Sequence, residues 1–187
     1  ITMTPLGGDT GVGIIFQPGA RVDARAYAGI LRPMADAGHH VVIVKQPLGI
    51  AILAAGFAPA WAADHPEVDR WIAAGHSLGG VVAADNAAAM NAVDDLVLWA
   101  SFPASDLSEG EFAAVSVFGT ADGLTTVDRI ERSTDDLPGG TSFVPVNGAV
   151  HSHFGDYGRQ PGDGEPAVPR EVAQDQIVQA TLAFLAG

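Results

Sequence analysis

The sequence contains no cysteine, which excludes thiol nucleophiles, thiolate metal ligation and disulfides together. Positive charge is scarce too: nine lysines and arginines stand against 22 aspartates and glutamates, a formal net charge of -13. A field of that sign repels phosphate backbones and anionic lipid surfaces, so no nucleic-acid partner is expected. Long apolar runs are also missing. The least charged stretch, residues 49–63 (GIAILAAGFAPAWAA), contains Pro59 and falls short of the roughly 20 residues a spanning helix needs. It reads as a buried helix or loop. The chain opens on Ile1, not methionine, which points to a mature or trimmed form and leaves secreted, membrane-anchored and cytoplasmic locations open. Oligomeric state is equally unspecified.

What is present is a foldable chain. With 187 residues, 48% hydrophobic and 17% charged, it suits a single domain spanning 1–187 with one sizeable core, and it is too apolar for disorder. Apolar, β-branched runs recur at residues 12–16 (VGIIF), 41–44 (VVIV), 71–74 (WIAA), 96–99 (LVLW), 115–118 (VSVF) and 142–146 (SFVPV). Between them lie segments suited to helices: 24–37, a broken one around 50–64, 78–91, 125–135, and 170–186 after Pro169. Strands alternating with helices predict an α/β fold, a mostly parallel sheet of about six strands with helices on both faces. Residues 155–169, rich in glycine, proline and aspartate, read as a long loop.

Gly75-His76-Ser77-Leu78-Gly79-Gly80 falls between the strand at 71–74 and the helix at 78–91, so Gly-x-Ser-x-Gly sits at a strand-to-helix turn. A serine at such an elbow takes a strained backbone conformation and projects its hydroxyl clear of the sheet. Glycines two residues before and after are required because a β-carbon there collides with the neighbouring strand or helix. A serine hydroxyl needs a base, and the base needs a carboxylate to hold its tautomer. Asp122 follows the strand at 115–118 in a tight Gly-Thr-Ala-Asp-Gly turn, and His151 follows the strand at 142–146. Both fall at the sheet edge that carries Ser77.

Each partner has a plainer reading. Asp122 could close a turn or cap the helix near Thr125, with Asp128 as the substitute acid. His151 and His153 could ligate a metal from one face of an extended segment, although no third ligand shows telling spacing. His76 is expected to pack inside the elbow. His39, His40 and His65 read as surface positions or strand openings. For the oxyanion the expected donors are the N–H of Leu78 and, from the loop after the first strand (Gln17-Pro18-Gly19-Ala20-Arg21), that of Ala20 or Gly19, where Gly19 permits close approach of backbone to ligand. Arg21 and Lys45 suit ion pairs, or an anionic substrate group.

Taken together, these residues resemble the α/β-hydrolase superfamily, and within it the small bacterial branch related to dienelactone hydrolases. The likeness rests on Pro18-Gly19-Ala20 followed by Asp23 and Ala26-Tyr27, then Lys45-Gln46-Pro47-Leu48, the Gly-His-Ser-Leu-Gly-Gly elbow and the turn from Gly119 to Gly123. It continues through a tail motif that runs from His151 through Phe154-Gly155, Tyr157-Gly158 and Gln160 to Gly162-Asp163-Gly164. The order Ser, Asp, His is the one this fold uses. The resemblance implies Ser77, Asp122 and His151 as the triad, with no cofactor and no metal.

Two departures stand out. Larger members begin with an antiparallel strand pair for which only residues 1–9 are available, so the N-terminal strands are expected to be trimmed. Dienelactone hydrolases proper use a cysteine nucleophile, so their substrate does not carry over; dehalogenases and epoxide hydrolases use aspartate, which Ser77 argues against. Residues 100–114 are too few for a large cap. The reading is a serine hydrolase of small-molecule carboxylic esters working through an acyl-enzyme, with a non-catalytic ligand-binding or interaction domain on the same fold as the alternative.

Overall fold

The computed structural model describes residues 1–46, 64–89 and 93–187. The expected helix around 50–64 and the low-charge stretch 49–63 therefore lie almost wholly outside the described residues, as do Pro47 and Leu48 of the motif at Lys45.

Among the described residues, one sheet of seven strands has the order β1-β3-β2-β4-β5-β6-β7. The buried apolar runs form its centre: β2 (Val12–Gln17), β3 (His40–Ile43), β4 (Arg70–His76), β5 (Asp95–Trp99) and β6 (Ala113–Gly119), with β7 (Ser142–Val146) at the far edge. All six run parallel. The seventh strand exceeds the expected six and is β1 (Thr2–Met3), two residues antiparallel to β3. It is the one strand that residues 1–9 form. The Ile1 nitrogen prolongs it by donating to the Ile43 carbonyl at 2.7 Å, a contact that sequence patterning does not register.

Helices cover both faces. On one, α1 (Ala28–Asp36) and the C-terminal helix pack Ile30, Leu31, Met34 and Ile177 against Phe16, Ile72, Trp99 and Val117. On the other, α2 (Leu78–Ala89) lays Ala83, Ala84 and Ala87 on Ala73, Leu96 and Leu98. Small side chains let α2 lie close to the sheet. The expected helix at 24–37 is divided: the Asp23 carboxylate accepts from the Arg25 N–H at 2.9 Å and starts a 3₁₀ turn (Ala24–Tyr27) before α1. The expected helix at 125–135 shortens to α3 (Val127–Arg132), and residues 124 and 125 give their N–H groups to Asp122 instead. The last helix, α4 (Arg170–Leu185), matches its expected span within a residue. Residues 90 and 91 of the expected helix at 78–91 lie outside the described residues.

The register places the chemistry. Gln17 pairs with Gly75, His76 with Trp99, and Gly119 with Val146. Consequently the loops that leave β2, β4, β6 and β7 emerge along one edge. The chain crosses over β2 in passing from β3 to β4, so the strand order reverses between β2 and β4. Open α/β sheets bind ligands outside the carboxyl ends of strands at such a reversal. Residues 100–112, between β5 and β6, contain no helix, so no large cap is inserted there.

Candidate active site

Ser77 lies between the end of β4 and the start of α2 and has φ +54°. A non-glycine residue held there costs about 1–3 kcal/mol, so surrounding contacts must hold it. The Ser77 N–H donates to the Trp99 carbonyl (3.0 Å), and the Ser77 carbonyl accepts from the Gly80 N–H (2.9 Å) and the Ser101 hydroxyl (2.7 Å). The expected role of the glycines holds. A β-carbon on Gly75 would overlap the backbone of Gly79 and Gly80, and one on Gly79 would overlap the carbonyls of Gln17 and Pro18. These close approaches press the first turn of α2 against the loop after β2.

Asp122 and His151 are brought together. The imidazole Nδ1 of His151 lies 2.8 Å from Asp122 Oδ2, and both residues are buried. The other carboxylate oxygen accepts the N–H groups of Leu124 (2.8 Å) and Thr125 (2.7 Å). Asp122 thus closes its turn and orients the imidazole at once, because a carboxylate offers two oxygens. It does not cap α3, whose N-cap is Thr126. With Nδ1–H donating to the carboxylate, Nε2 carries the lone pair that can take a proton. Asp128 cannot substitute: it is exposed on α3 and pairs with Arg132 at 2.9 Å. No hydrogen bond joins Ser77 Oγ to His151 among the described residues; catalytic hydrogen bonds are often loose until substrate binds.

The loop at 155–169 supports His151. Asp163 accepts the N–H groups of His151 (3.0 Å), Ser152 (2.9 Å) and Gly164 (2.8 Å), and the Tyr157 hydroxyl donates to the His151 carbonyl (3.1 Å). Burial pushes the Asp163 carboxyl upward, but the Ser152 and His151 N–H groups outweigh it and hold its pKa below the ordinary range. This clamp folds residues His151–Phe154 into a 3₁₀ turn where the sequence suggested only loop. The only sign of Asp163 in the sequence was its place in the Gly-Asp-Gly tail motif, which assigned it no task.

His76 packs as expected and also makes a polar contact. Its Nδ1 lies 2.9 Å from the Tyr27 hydroxyl, which accepts the Gly19 N–H at 2.9 Å. Gly19 is glycine because a β-carbon there would crowd His76 and Tyr27, not to admit a ligand. Its N–H is occupied. Of the two expected donors in this loop, only exposed Ala20 lacks an acceptor among the described residues, alongside half-buried Leu78 across the elbow. Gln46 braces the loop by donating to the Pro18 carbonyl at 2.9 Å. Neither Arg21 nor Lys45 forms an ion pair among the described residues.

Among the described residues, His151 and His153 belong to no grouping of three side chains able to hold a metal. His153 is buried beside a cleft of about 300 Å³ lined also by Val150, Arg159 and Arg170. His39 and His40 are buried rather than superficial, because residues 9 and 10 fold over them: Thr10 Oγ1 meets His39 at 2.8 Å and Asp9 meets His40 at 2.9 Å. With His65 and Glu67, His40 forms a grouping of ligand type, distant in the fold from Ser77.

Burial holds the pKa of His76 well below the ordinary histidine value, and the His151 ring, 4.5 Å away between centroids, adds to the effect. Burial likewise lowers His39 and His153. In the unfolded chain such rings protonate near pH 6.5, so below that pH the unfolded state binds more protons and stability falls. One fully buried ring supplies a slope of up to ~1.4 kcal/mol per pH unit. The urea midpoint is expected to hold steady above about pH 7 and to decline between about pH 6.5 and 5, before carboxylates protonate. A flat midpoint across that window would contradict neutral burial of these rings.

Comparison with known proteins adds the following. A model of the alpha/beta hydrolase family matches residues 13–175, whereas a search of curated proteins finds no match. Among solved structures, the esterase 2 of the planctomycete Thermogutta terrifontis superposes with a TM-score of 0.72 at 16% identity, over 98% of this chain and 85% of that one. The dienelactone hydrolase from Anabaena variabilis gives 0.70 at 18% identity, over 99% and 89%. An alpha-beta serine hydrolase homologue from Coxiella burnetii gives 0.67 at 16%, over 96% and 89%. At these identities the likeness is one of fold.

Proposed function

The chain belongs to the alpha/beta hydrolase family, and from that premise we propose that it is a serine hydrolase of small-molecule carboxylic esters. The observation that carries the reading is the buried His151–Asp122 pair on the sheet edge where the backbone turns at Ser77 with positive φ. Ser77 Oγ attacks the acyl carbon while His151 Nε2 takes its proton, and the N–H groups of Leu78 and Ala20 receive the oxyanion. The intermediate expels the alcohol, which leaves with the proton from His151, and the acyl group remains on Ser77. A water then gives its proton to His151 and attacks the ester, releasing the acid and restoring the serine. The connection from β5 to β6 raises no cap over this edge, which favours short acyl groups over long buried chains.

Several similar structures are described as esterases, and the Thermogutta terrifontis enzyme has been solved phosphonylated by cyclosarin. A fluorophosphonate is accordingly the natural probe. The folded protein is expected to take up one fluorophosphonate, located by peptide mass spectrometry on Ser77, and to hydrolyse members of a panel of esters and thioesters graded in acyl length. A folded chain that takes no label and cleaves no member of the panel is a ligand-binding or interaction domain instead.

A further inference from the structure

At the opposite edge of the sheet from Ser77, we propose that His40, His65 and Glu67 form a binding site for a divalent ion of the zinc type. His40 opens β3, and its residue is 5% exposed. Its Nε2 lies 2.9 Å from Asp9 Oδ2. A carboxylate only accepts, so Nε2 carries the hydrogen and Nδ1 is left with a bare lone pair. That Nδ1 is buried and has no hydrogen-bond partner. The nearest carboxylate oxygen, Glu67 Oε1, is 3.8 Å away, too far to be a hydrogen-bond partner, and the same oxygen lies 2.8 Å from His65 Nδ1.

An imidazole fixed by a carboxylate on one nitrogen with the other aimed at shared space is the arrangement that orients metal-bound histidines. Donor atoms of the three side chains lie within 4.8 Å of one another. Bonds of 2.0–2.2 Å to a tetrahedral ion place ligands about 3.4 Å apart, a spacing that the observed 2.8 and 3.8 Å bracket. Glu67 is partly exposed at 43% and has room to adjust. Two nitrogens and one carboxylate suit zinc and its neighbours in the transition series, whereas magnesium and calcium prefer all-oxygen shells. The ion would fasten the segment leading into β4 to the first residue of β3. It would be remote from the reacting atoms, so it stabilises the fold and takes no part in the chemistry.

The test uses the untagged full chain, freed of metal by a chelator and titrated calorimetrically with zinc, with cobalt(II) absorption as a second readout. One ion should bind per chain, and free zinc near a hundredfold over Kd should raise Tm by roughly 5–10 °C. His65→Ala and Glu67→Gln, both at partly exposed positions, should each weaken binding at least tenfold while remaining folded. His151→Ala should bind zinc as the wild type does. Absence of saturable one-to-one binding, unchanged affinity in both His65→Ala and Glu67→Gln, or loss of binding in His151→Ala would each overturn the site.

Discussion

Ser77→Ala is expected to lower kcat/KM for a soluble ester by a factor on the order of 10⁶ while leaving the fold intact, if Ser77 acts as serine-protease nucleophiles do. The contacts that hold residue 77 at φ +54° use its backbone: its N–H to Trp99, and its carbonyl to Gly80 and Ser101. Alanine keeps all of them, and its β-carbon meets the same backbone constraint as that of serine. Only Oγ is lost. Residual hydrolysis should come from substrate binding and oxyanion donors alone, which retain roughly 10³–10⁴ over water in related chemistry. The measurements are kcat/KM and a thermal melt side by side. Activity within tenfold of wild type in a variant with an unchanged melt would remove Ser77 from the mechanism.

Asp122→Asn should cost about 10⁴ in kcat with little change in stability. Asparagine can keep its carbonyl oxygen under the Leu124 and Thr125 N–H groups, so the turn survives. Its amide then faces His151 as a donor where the carboxylate accepted. The imidazole answers by placing its hydrogen on Nε2, the atom that must be bare to accept the serine proton. Asp122→Ala is the poorer experiment, since it also strips two N–H groups of their acceptor. The informative comparison is kcat for wild type, Asp122→Asn and His151→Ala on one ester. Full activity in Asp122→Asn would take the carboxylate out of its role.

The parts of this site legible in the sequence were those built from neighbours along the chain. Gly75, Ser77 and Gly79 lie within five residues, and their collisions follow from the turn itself. Asp122 and His151 could be placed because each closely follows a recognisable strand, and parallel strands deliver their exits to one edge. What escaped was partner choice across sequence distance. Tyr27 and His76 are 49 residues apart, and nothing local to either predicts that the hydroxyl would occupy the Gly19 N–H. Asp163 reaches back 12 residues to the His151 N–H from a stretch whose composition announced only irregularity. Burial of His39 and His40 escaped for the same reason, since Asp9 and Thr10 cover them from another part of the chain.

The Tyr27 hydroxyl has a consequence for how the site would meet developing charge. By holding the Gly19 N–H and the ring of His76 together, it ties the loop that carries Ala20 to the residue immediately before Ser77. In the proposed reaction the two sides of the oxyanion site would therefore be set in place before any substrate arrives, and their dipoles would not need to swing round as the carbonyl oxygen becomes negative. Water around an ester in solution must reorient for every reaction event. In a site already oriented that reorganisation has been met once, during folding, with Tyr27 as the strut.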